Sequence, residues 1–127
     1  MLSQKKILIV DDSAAMRGQI HDVLAGAGFD CVEAADGMEG LQAIASRSDL
    51  AAVLCDINMP RMNGLQMLEF VKSKGHLAAL PIIVLTTEGQ VRLVEQAKRA
   101  GAKGWVVKPF KAELLIAAVH KVMETPA

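Results

Sequence analysis

The chain has 127 residues, of which 52% are hydrophobic and 22% are charged. A chain of this size and composition can bury one apolar core, which excludes intrinsic disorder. Lys plus Arg and Asp plus Glu each number 14, so there is no basic excess to bind a nucleic-acid backbone or an anionic membrane. We therefore expect a single domain over residues 1–127, with no output domain, no nucleic acid and no membrane among its partners.

The N-terminal sequence gives no sign of export or membrane insertion. No apolar run approaches the ~18 to 20 residues that span a bilayer, and MLSQKKILIV is followed by Asp11 before a signal-peptide core can form. Cys31 and Cys55 are too few for a disulfide framework and form no Cys-x-x-Cys pair. We expect a cytoplasmic protein with two reduced thiols.

Short apolar runs alternate with helical spacings along the whole chain. The runs predict five strands, at residues 7–10, 31–34, 51–55, 82–85 and 105–107. The spacings between them predict five helices, at residues 16–27, 41–45, 64–74, 88–99 and 112–124. Gly28, Gly75 and Gly101 follow helical runs and are predicted to be left-handed caps.

The predicted strands are mostly continuous apolar runs without period-two alternation. Such strands are covered on both faces, as in a parallel sheet between two layers of helices. Five β-α units therefore predict a doubly wound α/β domain with right-handed crossovers, and domains of this kind bind ligands at the carboxyl ends of their strands. Functional residues should follow the strands.

Polar residues follow four of the five predicted strands. They are Asp11 and Asp12, Asp56, Thr86 and Thr87, and Lys108. Each alone has a structural explanation, since Asp12 or Ser13 could cap the first helix and a threonine could cap the fourth. Together they converge on one sheet edge, which favours a functional site.

The charges at this edge indicate a divalent cation. Three carboxylates and one ammonium sum to minus two, and without a cation the like charges would raise a carboxyl pKa or destabilise the site. Oxygen ligands of this kind suit Mg²⁺, with Mn²⁺ as the alternative. Zinc fits poorly, because the three histidines, His21, His76 and His120, are far apart in the sequence.

Four sequence blocks carry a family resemblance: DD at 11–12, DINMPRMNG at 56–64, TT at 86–87 and KPF at 108–110. The chain resembles a response-regulator receiver domain of two-component phosphorelays, most closely the stand-alone chemotaxis type. The resemblance covers the whole chain. It implies a flavodoxin-like five-stranded parallel sheet of order 2-1-3-4-5 with five helices.

The resemblance also implies roles for the acidic residues. Asp56 would accept a phosphoryl group from a histidine kinase. Asp12 and Asp56 would ligate Mg²⁺ directly, together with the backbone carbonyl of Asn58, and Asp11 would hold a metal-bound water. The expected protein is a signalling switch that catalyses only its own phosphorylation and dephosphorylation, not an enzyme acting on other substrates.

The remaining motif residues have implied roles around the phosphoryl group. Thr86 would donate its hydroxyl to one phosphoryl oxygen, and Lys108 would pair with another. The Lys108-Pro109 bond resembles the cis peptide of the family. Asn58 and Glu88 match the chemotaxis pattern in which polar side chains help water to reach the phosphoryl group, so we expect self-dephosphorylation within seconds to a few minutes.

The expected output surface lies on the fourth helix, fifth strand and fifth helix. Trp105 stands where the family usually has tyrosine or another aromatic that moves between outward and inward rotamers, although it could also be permanently packed. On the last helix, Leu114, Ile116, Ala117 and Ala118 widen the apolar stripe beyond what one-sided burial needs. We expect a monomer that binds a phosphorylation-dependent target here, with a weak dimer through the last helix as an alternative use.

Several functions remain open from the sequence. Motor or motility control is the first choice, and a phosphorelay shuttle or a phosphate sink are alternatives within the family. A flavodoxin-like electron carrier shares the expected fold, but two acids stand where its flavin phosphate would bind. An aspartate-based phosphatase usually has a second Asp two residues after the nucleophile, where this chain has Asn58.

Overall fold

The computed structural model describes residues 6–59, 62–77, 79–87 and 91–124. The five strands are β1 (Lys6–Val10), β2 (Asp30–Ala34), β3 (Leu50–Asp56), β4 (Ile82–Thr87) and β5 (Gly104–Lys108). The five helices are α1 (Ala14–Gly26), α2 (Gly37–Ser46), α3 (Gly64–Lys72), α4 (Val91–Ala100) and α5 (Ala112–Glu124). No helix within these ranges combines the length and the apolarity needed to cross a bilayer.

The strands form one parallel sheet in the order β2-β1-β3-β4-β5. This confirms the predicted doubly wound fold and its strand order. Strand β1 pairs with β2 on one side and β3 on the other, so the winding direction reverses between β1 and β3. Ligands bind at such reversal points in parallel sheets, outside the carboxyl ends of the strands.

Alternate residues of the central strands point into two separate apolar layers. Leu8 and Val10 pack with residues of α2, α3 and α4, whereas Ile7 and Ile9 pack with residues of α1 and α5. All four side chains are fully buried. Each buried aliphatic side chain contributes roughly 1.5–3 kcal/mol. Continuous apolar strand sequences therefore reflect burial on both faces of the sheet.

Caps of the expected residue types mark four of the helix ends. Ser13 caps α1 by accepting from the backbone N–H of Met16, and Asn63 begins α3 with a reciprocal capping box. Gly28 and Gly101 have φ of 96° and 109°, as predicted for left-handed caps. The prediction for Gly75 was wrong, because α3 ends earlier and Gly75 begins a short 3₁₀ helix.

The last helix uses only part of its wide apolar surface for the core. Leu115, Val119 and Val122 are buried against the sheet, and Ile116 also packs there. Leu114 is 62% exposed, beside the outer face of β5. The predicted apolar stripe of α5 therefore packs on the sheet, and Leu114, which lies outside that stripe, is exposed to solvent.

Candidate functional site

The acidic cluster lies at the point where the winding of the sheet reverses. Asp11 and Asp12 directly follow β1, and Asp56 is the last residue of β3. The two strands are adjacent and parallel, with Val10 in register with Cys55. Strand pairing alone therefore brings these distant acids to one edge, as the sequence predicts.

The three carboxylates are close enough to share one cation. An oxygen from each of Asp11, Asp12 and Asp56 lies within 4.8 Å of the others. Asp11 and Asp56 are buried, while Asp12 is exposed. An all-oxygen group of carboxylates with one open side fits Mg²⁺, which keeps several water ligands and coordinates phosphate oxygens.

Lys108 bridges two of these carboxylates from the end of β5. Its Nζ donates to Asp11 Oδ2 at 3.0 Å and to Asp56 Oδ2 at 3.2 Å. Burial tends to lower the pKa of Lys108, but the hydrogen bond to Asp11 and the two negative charges outweigh it, so the pKa is raised. The ammonium is therefore charged at neutral pH. The peptide bond to Pro109 is cis, the isomer that the resemblance implies.

Asp56 is held at both carboxylate oxygens. Oδ1 accepts from the backbone N–H of Asn58 at 3.0 Å, and Oδ2 accepts from Lys108. Burial raises the pKa of Asp56, while the bonds from Asn58 and Lys108 act in the opposite direction. Three carboxylates stand against the single ammonium of Lys108, an excess of acidic groups whose ionised form a divalent cation would stabilise.

Thr86 extends the site along β4. Asp56 is in register with Leu85, which places Thr86 one residue beyond the acid at the same edge. Thr86 is buried, whereas Thr87 is exposed and stands in register with Lys108. Of the two threonines, only Thr86 is therefore buried at the site. Glu88, the other residue predicted to influence dephosphorylation, lies outside the described residues.

Gly64 allows α3 to begin directly against the end of β3. A Cβ at this position would overlap the carbonyl oxygen of Asp56 and lie 2.9 Å from the Cα of Ile57. The Gly64 N–H donates to the Ile57 carbonyl at 3.1 Å. The glycine of the DINMPRMNG block is thus required by a close backbone approach.

The sequence prediction missed a supporting arginine. Arg17 on α1 donates from Nη1 to the backbone carbonyl of Asp11 at 2.6 Å and from Nε to Glu33 Oε1 at 3.2 Å. Nothing in the sequence separates Arg17 from an ordinary helix-surface arginine. Its two partners come from different parts of the sheet, so only the folded chain reveals the contact.

The predicted switch aromatic faces outward. Trp105 is 44% exposed, so the indole is only partly packed in this structure. Lys98 of α4 places its Nζ 4.8 Å from the centroid of the indole ring. Trp105 and Leu114 also line a shallow groove of about 530 Å³ between β5 and α5.

Comparison with known proteins gives a consistent result. Residues 7–120 match the response regulator receiver domain family. Chemotaxis protein CheY1 of Helicobacter pylori is 37% identical over 121 residues, which cover 94% of this chain and 98% of that protein. The crystal structure of Vibrio cholerae chemotaxis protein CheY4 is similar with a TM-score of 0.87 and 34% identity, over 94% of this chain and 99% of that one.

The receiver domain of a further protein is equally similar in fold. The receiver domain of NtrX from Brucella abortus has a TM-score of 0.89 and 31% identity, over 95% of this chain and 100% of that one. Sheet order, acidic cluster and sequence similarity agree. The chain therefore belongs to the response regulator receiver domain family of two-component signalling and is similar over nearly its whole length to the CheY chemotaxis proteins.

Proposed function

We propose that this chain is a phosphorylation switch in which Asp56 accepts a phosphoryl group from a histidine kinase with the help of Mg²⁺. The observation that carries the proposal is the arrangement around Asp56. One of its oxygens is bound by Lys108, and its carboxylate is grouped with Asp11 and Asp12 at the reversal point of the sheet. This arrangement suits transfer of a phosphoryl group to an aspartate.

The transfer needs positioning and charge stabilisation more than acid-base chemistry. A carboxylate oxygen of Asp56 attacks the phosphorus, a P–O bond forms, and the bond from phosphorus to the kinase imidazole nitrogen breaks. The imidazole nitrogen keeps the electron pair. Lys108 contacts a phosphoryl oxygen and Thr86 donates its hydroxyl to another, so both stabilise the charge that spreads over the transferring group.

The metal ligands follow from the resemblance and the donor chemistry. Asp12, Asp56 and the backbone carbonyl of Asn58 would hold Mg²⁺, and Asp11 would hold one of its waters. When bound, the ion neutralises the carboxylates and the oxygens of the phosphoryl group. Burial of Asp11 and exposure of Asp12 are consistent with this division, because an exposed carboxylate is accessible to a hydrated ion from solvent.

The output of the switch is proposed to be the surface of α4, β5 and α5. Phosphorylation would draw Thr86 towards the new phosphoryl group, and Trp105 would then move inward into the space behind it. The exposed Trp105 and Leu114 provide an apolar surface for a protein target. Similarity to chemotaxis proteins supports a target in motility control. Asn58 and Glu88 would set the rate at which water removes the signal.

Removal of divalent cations should prevent phosphorylation of this chain. With Mg²⁺ and acetyl phosphate, intact-mass spectrometry should show one phosphoryl group per chain, and chelation with EDTA should abolish that adduct. Without a cation, the attacking carboxylate and the incoming phosphate repel each other beside two further acids. Adding Mn²⁺ to the chelated protein after removing EDTA should restore the adduct. Equal labelling with and without divalent cations would contradict the proposal.

Lys98 should favour the outward rotamer of Trp105. A lysine over an exposed indole is worth about 0.5–1 kcal/mol, which corresponds to a roughly two- to fivefold preference for the outward rotamer. Lys98→Met should therefore give a larger change in the emission of this single tryptophan on adding Mg²⁺ and acetyl phosphate. Lys103→Met, the same change two residues before Trp105, is the control. A Lys98→Met protein that responds like the wild type would show that the lysine does not hold the indole outward.

A further inference from the structure

We propose that Arg17 is a positioning residue for Mg²⁺ binding, itself oriented by Glu33. The inference rests on the proposed function, because it concerns the same acidic site. Arg17 would not touch the cation. It would act by holding the backbone that leads from β1 into the acidic turn.

The contacts of Arg17 join three parts of the fold. Its Nη1 donates to the Asp11 carbonyl at 2.6 Å, and its Nε donates to Glu33 Oε1 at 3.2 Å. Glu33 lies on β2, and its second oxygen is 2.8 Å from His21 Nδ1. The Arg17 side chain is only 17% exposed. A guanidinium can make two such bonds at fixed relative angles, which a lysine ammonium cannot reproduce.

The bond from Arg17 to the backbone carbonyl of Asp11 completes the hydrogen bonding of that residue. The Asp11 N–H donates to the Ala34 carbonyl at 3.2 Å, its Oδ1 accepts from the Ser13 N–H at 2.9 Å, and its Oδ2 accepts from Lys108 at 3.0 Å. With Arg17 on the carbonyl, all four polar atoms of Asp11 are bound.

The bond from Arg17 matters for the next residue along the chain. The carbonyl of Asp11 belongs to the peptide plane that also contains the nitrogen of Asp12. Fixing that plane limits the directions in which the exposed Asp12 carboxylate can point. Asp12 is thereby held ready to meet a cation together with Asp56, so less order has to be created when Mg²⁺ binds.

Positioning and simple charge effects predict opposite results for the loss of Arg17. The guanidinium is a positive charge near a cation site, so its removal should tighten Mg²⁺ binding if only Coulomb repulsion mattered. If Arg17 positions the acidic turn, its removal should weaken binding instead. Partners that orient metal ligands typically change metal affinity by about 10- to 100-fold when they are lost.

The test is the Mg²⁺ dissociation constant of the full chain, measured by isothermal titration calorimetry. We expect about a tenfold increase for Arg17→Met and a smaller increase for Arg17→Lys, which keeps the charge. The double variant Arg17→Met with Glu33→Gln removes both charges and should also bind more weakly. The matched control is Arg47→Met, which should bind Mg²⁺ like the wild type. Arg47 lies between α2 and β3 and pairs with Asp49.

Thermal unfolding of each variant without metal shows whether it is folded at the temperature of the titration. A folded variant that binds Mg²⁺ more weakly has lost positioning and not the fold. The inference is overturned if Arg17→Met binds Mg²⁺ as tightly as the wild type or more tightly. It is also overturned if Arg17→Lys and the double variant, both folded, keep wild-type affinity. In those cases wild-type labelling would leave the proposed function standing, whereas a wild type that neither binds Mg²⁺ nor becomes labelled would contradict both.

Discussion

Replacing Asp56 with asparagine should abolish the base-labile phosphoryl adduct formed from acetyl phosphate or a phosphorylated histidine kinase. The amide is a far weaker nucleophile than the carboxylate, and the change also removes one of the three grouped carboxylates. The adduct is measured by intact-mass spectrometry, with peptide mapping to locate it in the wild type. A variant that still carries one phosphoryl group per chain would show that the acceptor is another residue.

The same variant should remain folded, which makes the loss of labelling interpretable. Burial raises the pKa of Asp56, so ionisation disfavours the folded state. The stability contributed by this group is therefore fully present at low pH and is lost as pH rises through its titration range. The amide in Asp56→Asn does not ionise, so in the absence of Mg²⁺ the free energy of unfolding at neutral pH should equal or exceed that of the wild type. Urea unfolding monitored by circular dichroism measures the difference.

Replacing Gly64 with alanine should destabilise the protein and at the same time displace the end of β3, where Asp56 lies. The added Cβ would overlap the carbonyl oxygen of Asp56, and backbone atoms of β3 cannot move aside as a flexible side chain would. Forced overpacking of this kind costs typically about 1–3 kcal/mol and occasionally more. We expect a loss at or above the upper end of that range in urea unfolding, together with weaker Mg²⁺ binding.

Gly18→Ala is the matched control for this substitution. Gly18 lies within α1, and a Cβ there would meet nothing within 4 Å. Glycine inside a helix is less stable than alanine by roughly 0.5–1 kcal/mol, so this variant should gain stability. If the two alanine variants change the free energy of unfolding by similar amounts, the close approach of α3 to Asp56 does not limit the residue at position 64.

Sequence pattern was sufficient for the fold because the local signals agree with the tertiary arrangement. Continuous apolar runs such as residues 82–85 predict strands buried on both faces, and helical spacings between them predict the parallel topology. The carboxyl ends of parallel strands meet at one edge, so Asp11, Asp56 and Lys108 could be placed together from the sequence alone. The fold and the grouping of these residues at one edge depend on strand burial and strand direction, and both can be predicted from short stretches of sequence.

Tertiary structure alone decided how the site is supported. The sequence places Lys108 near the acids, but only the fold shows that one ammonium binds both Asp11 and Asp56, across 97 and 52 residues of chain. Arg17 with Glu33, and Lys98 over Trp105, belong to the same class of contact. Pairs of this kind leave no periodic pattern, because their geometry depends on where separate elements pack. The sequence by itself therefore determined the fold and which residue types lie at the site. Only the tertiary structure showed which of their side chains contact one another, because those contacts depend on how separate elements pack.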